Sequence, residues 1–338
     1  MPAAEDEKFM RAALRAAEKG IGHTSPNPAV GALIVSKGKA VATGWHRRAG
    51  LPHAEIEALK KTGSAKGATL YVTLEPCSTH GRTPPCVDAI IAAGIKHVVI
   101  GTIDPNPAHA GRAVRILKKA GITVQTGILG EECRALNNAF NKWIVSGMPW
   151  VIAKAGMSLD GRISRQPGGS QWITSPASRA HAQKLRARVD AILIGAETLR
   201  ADNPHLTVRG IRGAKQPWRI VLTRSGNLPP DAHLFTDAHK DKTLVYKNKS
   251  LRAVLRDLGK KQITSVLIEG GGNVLGQAFD QKLVDEVQFY IAPLLIGGPK
   301  VSVGGLGAAS SETGATIKNP RYKKIGGDML VSGEVEYP

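Results

Sequence analysis

His53-Ala54-Glu55, followed by Thr73-Leu74-Glu75-Pro76-Cys77-Ser78 and then by Pro85-Cys86, decides how the first half of this chain folds. One imidazole and two thiolates supply three protein ligands for Zn²⁺, leaving the fourth tetrahedral position to water, as a catalytic rather than a structural site requires. A zinc-held water has a pKa of about 7, so hydroxide is available at neutral pH. Glu55, two residues past His53, stands where an acid/base group shuttles that water's proton. The apolar run Thr69 to Thr73 reads as a strand entering the first cysteine, and His53 and Cys86 each open a helical run. Ligands at helix amino termini just after strands are how open α/β sheets build their sites.

His-x-Glu with paired cysteines is the pattern by which zinc deaminases hydrolyse an amino group from a heterocyclic base, but their short signature spaces the cysteines as Cys-x-x-Cys. Here Ser78 to Pro85 intervene, polar and rich in turn formers, and read as a loop that returns Cys86 to the metal. His80 in that loop would close the site to water as a fourth ligand; it reads as a substrate contact or a solvated loop residue. Cys133, in the helical run Glu131 to Trp143, reads as a small core residue. Asn27, between two prolines, is either a turn residue or an amide for a pyrimidine edge.

The alternation continues on both sides of this stretch. A helix over Lys8 to Lys19, strands Ala29 to Ser36 and Ala40 to Trp45, helix Cys86 to Ala93, strand His97 to Ile100, helix Arg112 to Ala120 and strand Thr123 to Thr126 give one sheet sandwiched by helices. Gly147-Met148-Pro149 breaks the pattern, so a domain boundary is expected near residue 147. Beyond it, strands Val151 to Ala155, Ala191 to Ile194, Ile220 to Thr223, Thr243 to Tyr246 and Ser265 to Ile268 predict a second, mostly parallel sheet. Helices Pro176 to Arg188, Leu251 to Leu258 and Asn273 to Phe279 accompany it. No internal repeat is visible.

At 338 residues the chain has room for two cores of roughly 150 residues each. Three cysteines, two assigned to metal, argue against a disulfide framework and for a reducing, cytoplasmic setting. No apolar run approaches the roughly 20 residues needed to cross a bilayer, and no membrane partner is expected. The formal charge of +19 attracts polyanions and phosphorylated metabolites alike, and does not choose between them. Few aromatics weaken a single-strand nucleic-acid reading, in which bases stack on exposed rings.

Gly270-Gly271-Gly272 stands between a strand and a helix, where backbone amides can approach a phosphate. A tight strand-to-helix turn explains it equally, and it is not the Gly-x-Gly-x-x-Gly fingerprint. Thr223-Arg224-Ser225 ends another strand; its arginine and hydroxyls suit the 2′-phosphate that separates NADPH from NADH, or Arg224 is simply solvated.

Pro26-Asn27-Pro28-Ala29-Val30-Gly31, the His53 and Cys77 motifs, Gly81-Arg82-Thr83-Pro84-Pro85-Cys86 and Asp104-Pro105-Asn106-Pro107 together resemble the deaminase half of the bacterial bifunctional riboflavin-biosynthesis deaminase-reductase family. Ser158-Leu159-Asp160-Gly161-Arg162, Ser170-Gln171-Trp172-Ile173-Thr174, Asp202-Asn203-Pro204, Leu206-Thr207-Val208-Arg209 and Glu269-Gly270-Gly271 resemble its reductase half, in the family's order. The resemblance implies two α/β domains. Residues 1–147 would form a cytidine-deaminase-like three-layer α/β/α domain, and residues 148–338 a dihydrofolate-reductase-like α/β domain. It implies a zinc-dependent deamination of a phosphorylated diaminopyrimidine, followed by NADPH-dependent reduction of its ribosyl chain.

Carried onto this sequence, the resemblance puts Zn²⁺ on His53, Cys77 and Cys86, with Glu55 catalytic. It lines NADPH with Gly156, Trp172, Thr198, Asp202, Ser225 and the turn Gly271, Gly272, Asn273, Val274, Leu275, Gly276 and Gln277. It gives the substrate Ser170, Arg186, Leu206, Arg209 and Glu269, the arginines suiting its phosphate. On packing grounds alone Trp172 and Leu206 read as core residues, Arg186 as a solvated helix face and Asp202 as a cap or turn. The resemblance identifies no proton donor for the reduction. The expected assembly is a homo-oligomer, dimer or tetramer. A base deaminase whose basic second half grips nucleic acid shares the zinc chemistry, but the long cysteine loop and the cofactor-like second half oppose it.

Overall fold

The computed structural model describes residues 3–79, 84–163 and 172–338. His80, Gly81, Arg82 and Thr83 of the cysteine loop, and Ser170 and Gln171, lie outside the described residues. The chain divides into two compact units, Met1–Gly147 and Met148–Pro338.

In the first unit, α1 (Ala3–Ala17) leads into β1 (Gly31–Ser36), β2 (Lys39–Trp45), α2 (Ala54–Leu59) and β3 (Thr69–Leu74). Then follow α3 (Cys86–Ala92), β4 (His97–Thr102), α4 (Arg112–Lys119), β5 (Thr123–Thr126), α5 (Gly130–Ala135) and α6 (Asn138–Ser146). The sheet order is β2-β1-β3-β4-β5, with β3, β4 and β5 parallel and β1 antiparallel to both of its neighbours. Side chains alternate across it, so each face needs its own cover. Ile34, Leu70, Val72, Val98 and Ile100 pack on Ala54, Ala58, Val87, Ile90 and Leu117 of α2, α3 and α4. Leu33, Val35, Tyr71 and Val99 pack on Phe9, Met10 and Ala13 of α1 and on Cys133 of α5. Each fully buried Val, Leu, Ile, Phe or Met among these contributes about 1.5–3 kcal/mol. The result is the three-layer α/β/α arrangement.

Two boundaries differ from the sequence reading. α1 starts earlier, because Glu5 and Asp6 suit the positive amino end of a helix. The single helix expected over Glu131 to Trp143 is two, broken at Asn137. That side chain is committed to the Ala29 backbone, accepting from its N–H at 2.8 Å and donating to its carbonyl at 2.9 Å.

The second unit runs β6 (Trp150–Ser158), α7 (Pro176–Arg186), β7 (Ala191–Gly195), α8 (Ala196–Asp202), β8 (Trp218–Thr223), α9 (His233–Thr236) and β9 (Thr243–Lys247). It continues through α10 (Leu251–Lys260), β10 (Ser265–Glu269), α11 (Gly272–Asp280), β11 (Glu286–Ala292), β12 (Thr316–Ile325) and β13 (Asp328–Glu336). Its sheet order is β12-β13-β11-β6-β10-β7-β8-β9. From β11 to β9 every pairing is parallel, and β13 and β12 add an antiparallel margin. Alternation again builds two cores. Val151, Ala153, Leu193, Ile220, Val266 and Ile268 face Val254, Leu258 and Leu275, whereas Ile152, Ile192, Ile194, Val221 and Leu267 face Leu199 and Leu206. Helices α8 and α9 and strands β11 to β13 are additions to the sequence reading. Among the described residues no helix is long and apolar enough to cross a membrane.

Candidate active sites

Helix α2 lies directly on β2 because Gly44 has no side chain: a Cβ there would stand 2.2 Å from the Ala54 carbonyl oxygen. That close approach sets His53, the residue before the helix, and Glu55 in its first turn against the sheet. From the other side, β3 ends at Leu74 and delivers Glu75, Pro76 and Cys77. Glu75 is buried and acts as a tie. Its carboxylate accepts from the backbone N–H groups of Asp104 at 3.3 Å, Gly111 at 2.9 Å and Ala113 at 2.9 Å. A negative group is favoured at the amino end of α4, and here it also holds the Asp104-Pro105-Asn106-Pro107 loop beside the cysteine strand.

Nδ1 of His53 lies 3.3 Å from Sγ of Cys86 and 3.4 Å from Sγ of Cys77. All three ligand atoms fall within 4.8 Å of one another. Two ligands of a tetrahedral zinc, one sulfur and one nitrogen, stand about 3.5 Å apart, so the set fits that ion without rearrangement. The electrostatics fit as well. Cys77 accepts from the backbone N–H of Cys86 at 3.2 Å. The Cys86 thiol, with help from His53, holds Cys77 well below the usual thiol range, while the same coupling and burial push Cys86 up. The Cys77 contact raises His53 despite its burial. Glu55 is 2% exposed, and burial pushes its carboxyl up. That environment suits a group that must take up and release a proton near neutral pH.

His46 is a member of this site that the sequence reading lacked. Its ring lies edge-on to His53 at 5.3 Å between centroids. Nδ2 of Asn27 is 3.1 Å from its Nε2, and its Nδ1 is 3.1 Å from the Pro52 carbonyl oxygen. Asn27 therefore donates to the ring, and the ring donates to Pro52. The Asn27 carbonyl oxygen is fixed in direction by this chain of bonds. Cys133 is fully buried in the α1-side core, away from the ligand set, and burial raises its thiol to about 12.

In the second unit Glu269 ends β10, and Arg186 ends α7. The arginine forks onto the carboxylate, Nε at 2.6 Å and Nη2 at 2.8 Å, and its Nη1 donates to the Thr207 carbonyl at 3.1 Å. Lys154 of β6, not anticipated from the sequence, is 3.8 Å from the same carboxylate. Burial alone would raise Glu269, but Arg186 and Lys154 together hold it down to about 2. Arg186 is thus not a solvated face residue but is paired with Glu269. Leu206 is core, 3% exposed. Arg209 is exposed and has no carboxylate partner among the described residues.

Gly270 and Gly271 have φ of +82° and +74°, the left-handed turn that glycine allows. Gly272 and Gly276 have a different reason: a Cβ on either would lie 2.2 Å from backbone atoms of Val301 or Gly304. Val274, Leu275 and Gly276 are buried, which leaves the turn amides, Asn273 and Gln277 facing outward. Thr198, which sequence position alone had suggested, has its hydroxyl 3.1 Å from where a Gly271 Cβ would be. A Cβ at Gly156 would stand 3.2 Å from the Thr174 methyl and 3.5 Å from its hydroxyl. Trp172 is exposed, with the Arg179 guanidinium 4.6 Å from its ring centroid, so it is not a core residue. Asp202 ends α8; burial raises its carboxyl against the pull of Lys300. Arg224 and Ser225 are exposed at the end of β8, and Lys247 of β9 lies against the adjacent Gly226.

The family model for the cytidine and deoxycytidylate deaminase zinc-binding region matches residues 3–102, and that for the RibD C-terminal domain matches residues 149–331. The riboflavin biosynthesis protein RibD of Aquifex aeolicus is 40% identical over 347 aligned positions, covering 96% of this chain and 97% of that protein. Its Escherichia coli counterpart is 42% identical over 87% of this chain and 89% of its own length. The structure of Acinetobacter baumannii RibD superposes with a TM-score of 0.90 at 35% identity, covering 99% of this chain and 100% of that one. That of a Thermotoga maritima diaminohydroxyphosphoribosylaminopyrimidine deaminase/5-amino-6-(5-phosphoribosylamino)uracil reductase has the same TM-score and identity and covers all of both chains. With both halves matched in order and nearly the whole length aligned to such proteins, this chain belongs to the RibD family.

Proposed function

We propose that the chain carries out two successive steps of riboflavin biosynthesis. The Met1–Gly147 unit would hydrolyse an exocyclic amine of 2,5-diamino-6-(5-phosphoribosylamino)pyrimidin-4(3H)-one, releasing ammonia. The Met148–Pro338 unit would reduce the ribosyl chain of the resulting uracil to ribityl, giving 5-amino-6-(5-phosphoribitylamino)uracil. The observation that carries this reading is the preformed His53, Cys77 and Cys86 triangle with the Glu55 carboxyl buried in the first turn of the helix that His53 caps.

Zinc held by that triangle supplies activation of water near neutral pH. Glu55 would take one proton of the water and pass it to the ring nitrogen, then take the second from the hydroxyl so added and pass it to the departing amine as the carbonyl forms. Asn27, pointed by His46, presents its carbonyl oxygen to the pyrimidine edge. In the second unit NADPH supplies the hydride. The turn amides from Gly271, with Asn273, Gln277, Thr198, Gly156, Trp172, Asp202 and Ser225, hold it. Lys154, two residues before Gly156 on β6 and 3.8 Å from the Glu269 carboxylate, is the protein's proton donor to the opening ribose. Arg186 serves by fixing Glu269, and Arg209, with Ser170 and the backbone at Leu206, meets the phosphoribosyl chain. Three free cysteines support a reducing, cytoplasmic setting.

Incubation with the diaminopyrimidine ribotide, followed by mass analysis, tests both steps. Deamination adds about one dalton and reduction about two more, the second only with NADPH, as exchange of an amine for a hydroxyl and addition of two hydrogens require. A product unchanged in mass in both incubations would sink the reading.

A further inference from the structure

Helix α7 and the antiparallel end of the second sheet line an open groove of about 580 Å³. Pockets for small molecules run from about 300 to 1,000 Å³. Strand register builds it in two rows. Arg321 of β12, Ser332 of β13 and Gln288 of β11 stand side by side, and so do Lys323, Leu330 and Tyr290. His181 of α7 covers the second row, with its Nδ1 2.8 Å from the Tyr290 hydroxyl. Lys184 lies three residues further along the same helix, and Arg188 in the turn just beyond its end.

These cations are uncompensated. Arg186 of the same helix is neutralised by Glu269, but among the described residues Lys184, Arg188, Arg321 and Lys323 have no carboxylate partner, and no carboxylate lines the groove. His181 registers the crowding: burial first, then Lys323, Lys184 and Arg188, push its imidazole down. Gathering like charges around a concavity raises the positive potential inside it and so selects an anion.

We propose that this groove is a binding site, outside both catalytic centres, for an organic phosphate of nucleotide size. The Arg321 guanidinium and Lys323 ammonium take the phosphate, for which a planar fork and a point charge are complementary. With the Tyr290 hydroxyl as donor to Nδ1 of His181, Nε2 carries the ring proton and donates to the phosphate as well. Ser332 adds a hydroxyl, and Leu330 an apolar wall for the organic part. The concave shape favours a small molecule over a polyanion. Pro320 and the lysines of β12 disfavour strand pairing with a second copy at that edge. The site adjoins the reductase centre but is walled off from it by the Tyr290 and His181 rings, the Lys154 Nζ lying 5.9 Å from the Tyr290 ring centroid on the other side.

The test is isothermal titration of the full chain, saturated with NADPH, using adenosine 5′-monophosphate, adenosine and a single-stranded RNA oligonucleotide. The monophosphate binds and adenosine does not. Arg321→Ala/Lys323→Ala weakens the monophosphate about ten- to a hundredfold, as loss of hydrogen bonds to a charged group does. Lys318→Ala/Lys324→Ala removes the same charge from the same strand outside the groove and leaves affinity unchanged. If the first double variant fails to fold, Ser332→Ala weakens binding about three- to tenfold. Three results overturn the proposal: no monophosphate binding at millimolar concentration, equal affinity in wild type and the groove variants, or binding of the RNA alone. Self-association that buries Lys323 and excludes the monophosphate does so too.

Discussion

Glu55 and the two cysteines beside it separate what a residue does chemically from what it does by packing. Glu55→Gln keeps the volume and hydrogen-bonding shape of the side chain but cannot carry a proton. The variant is expected to keep its zinc and its reduction of the deaminated ribotide while deaminating about 10²- to 10⁴-fold more slowly, the usual contribution of a general acid/base. Undiminished deamination would remove Glu55 from the mechanism. Cys77→Ser and Cys86→Ser should each lower zinc to well below one per chain, since a serine hydroxyl is not ionised at neutral pH and is a poor substitute for a thiolate. Cys133→Ser should leave zinc unchanged, because that thiol is buried against β3 and β4. Elemental analysis of the three proteins decides it, and equal loss in all three would mean a different ligand set. At this scale the sequence was readable where a chemical group has one plausible use at a fixed spacing. It was silent on His46, whose place beside His53 depends on the return of the chain through Pro52 and leaves no periodic trace.

The junction of α7 with β10 shows why an element's charged residues are harder to read than its apolar ones. Arg186 sits in a helix rich in basic residues and reads as solvated; its partner Glu269 is 83 residues away, and only the parallel sheet brings them together. Buried and paired, Glu269 has its pKa held near 2, below the ordinary carboxylate value of about 4.3 in an unfolded chain. A depressed folded pKa stabilises the fold above the unfolded value, and that contribution is lost as pH falls from about 4.3 through 2. The shift corresponds to about 3 kcal/mol. Glu269→Gln leaves Arg186 buried without its counter-charge, so at pH 6 it should destabilise the second unit by about 3–5 kcal/mol. The difference from wild type should shrink steadily as pH falls toward 2, because the wild-type carboxylate is then protonated as well. Urea denaturation of both proteins across that range measures it. A gap independent of pH would show that the charge on Glu269 contributes nothing to stability.

Over the whole chain, the parallel strands were legible because burial on both faces leaves runs such as Ala191-Ile192-Leu193-Ile194 and Val266-Leu267-Ile268. β12 was not, because Thr316–Ile325 is almost wholly exposed and carries Pro, Asn, Arg and Lys; its strand state comes from backbone pairing to β13. The triplet at Gly270 was visible as a turn, but the need for glycine at Gly272 and Gly276 comes from the Val301 to Gly304 segment, distant in sequence. Net charge, in contrast, is legible in full from composition and has a consequence at this scale only. With 46 basic and 27 acidic residues, the molecule carries +19 and meets a substrate whose phosphate is a dianion. Long-range attraction of that kind raises encounter rates and is screened once the Debye length falls, from about 30 Å at 0.01 M salt to about 8 Å at 0.15 M. The kcat/KM for deamination of the ribotide should therefore fall by about tenfold between those salt concentrations, within the range seen for electrostatic steering. The corresponding riboside, lacking the phosphate, should show little salt dependence, although its reacting ring is the same. Steady-state deamination of both compounds at a series of salt concentrations provides the measurement. Parallel decline of the two would place the salt effect on the catalytic centre itself and remove the surface charge as its cause.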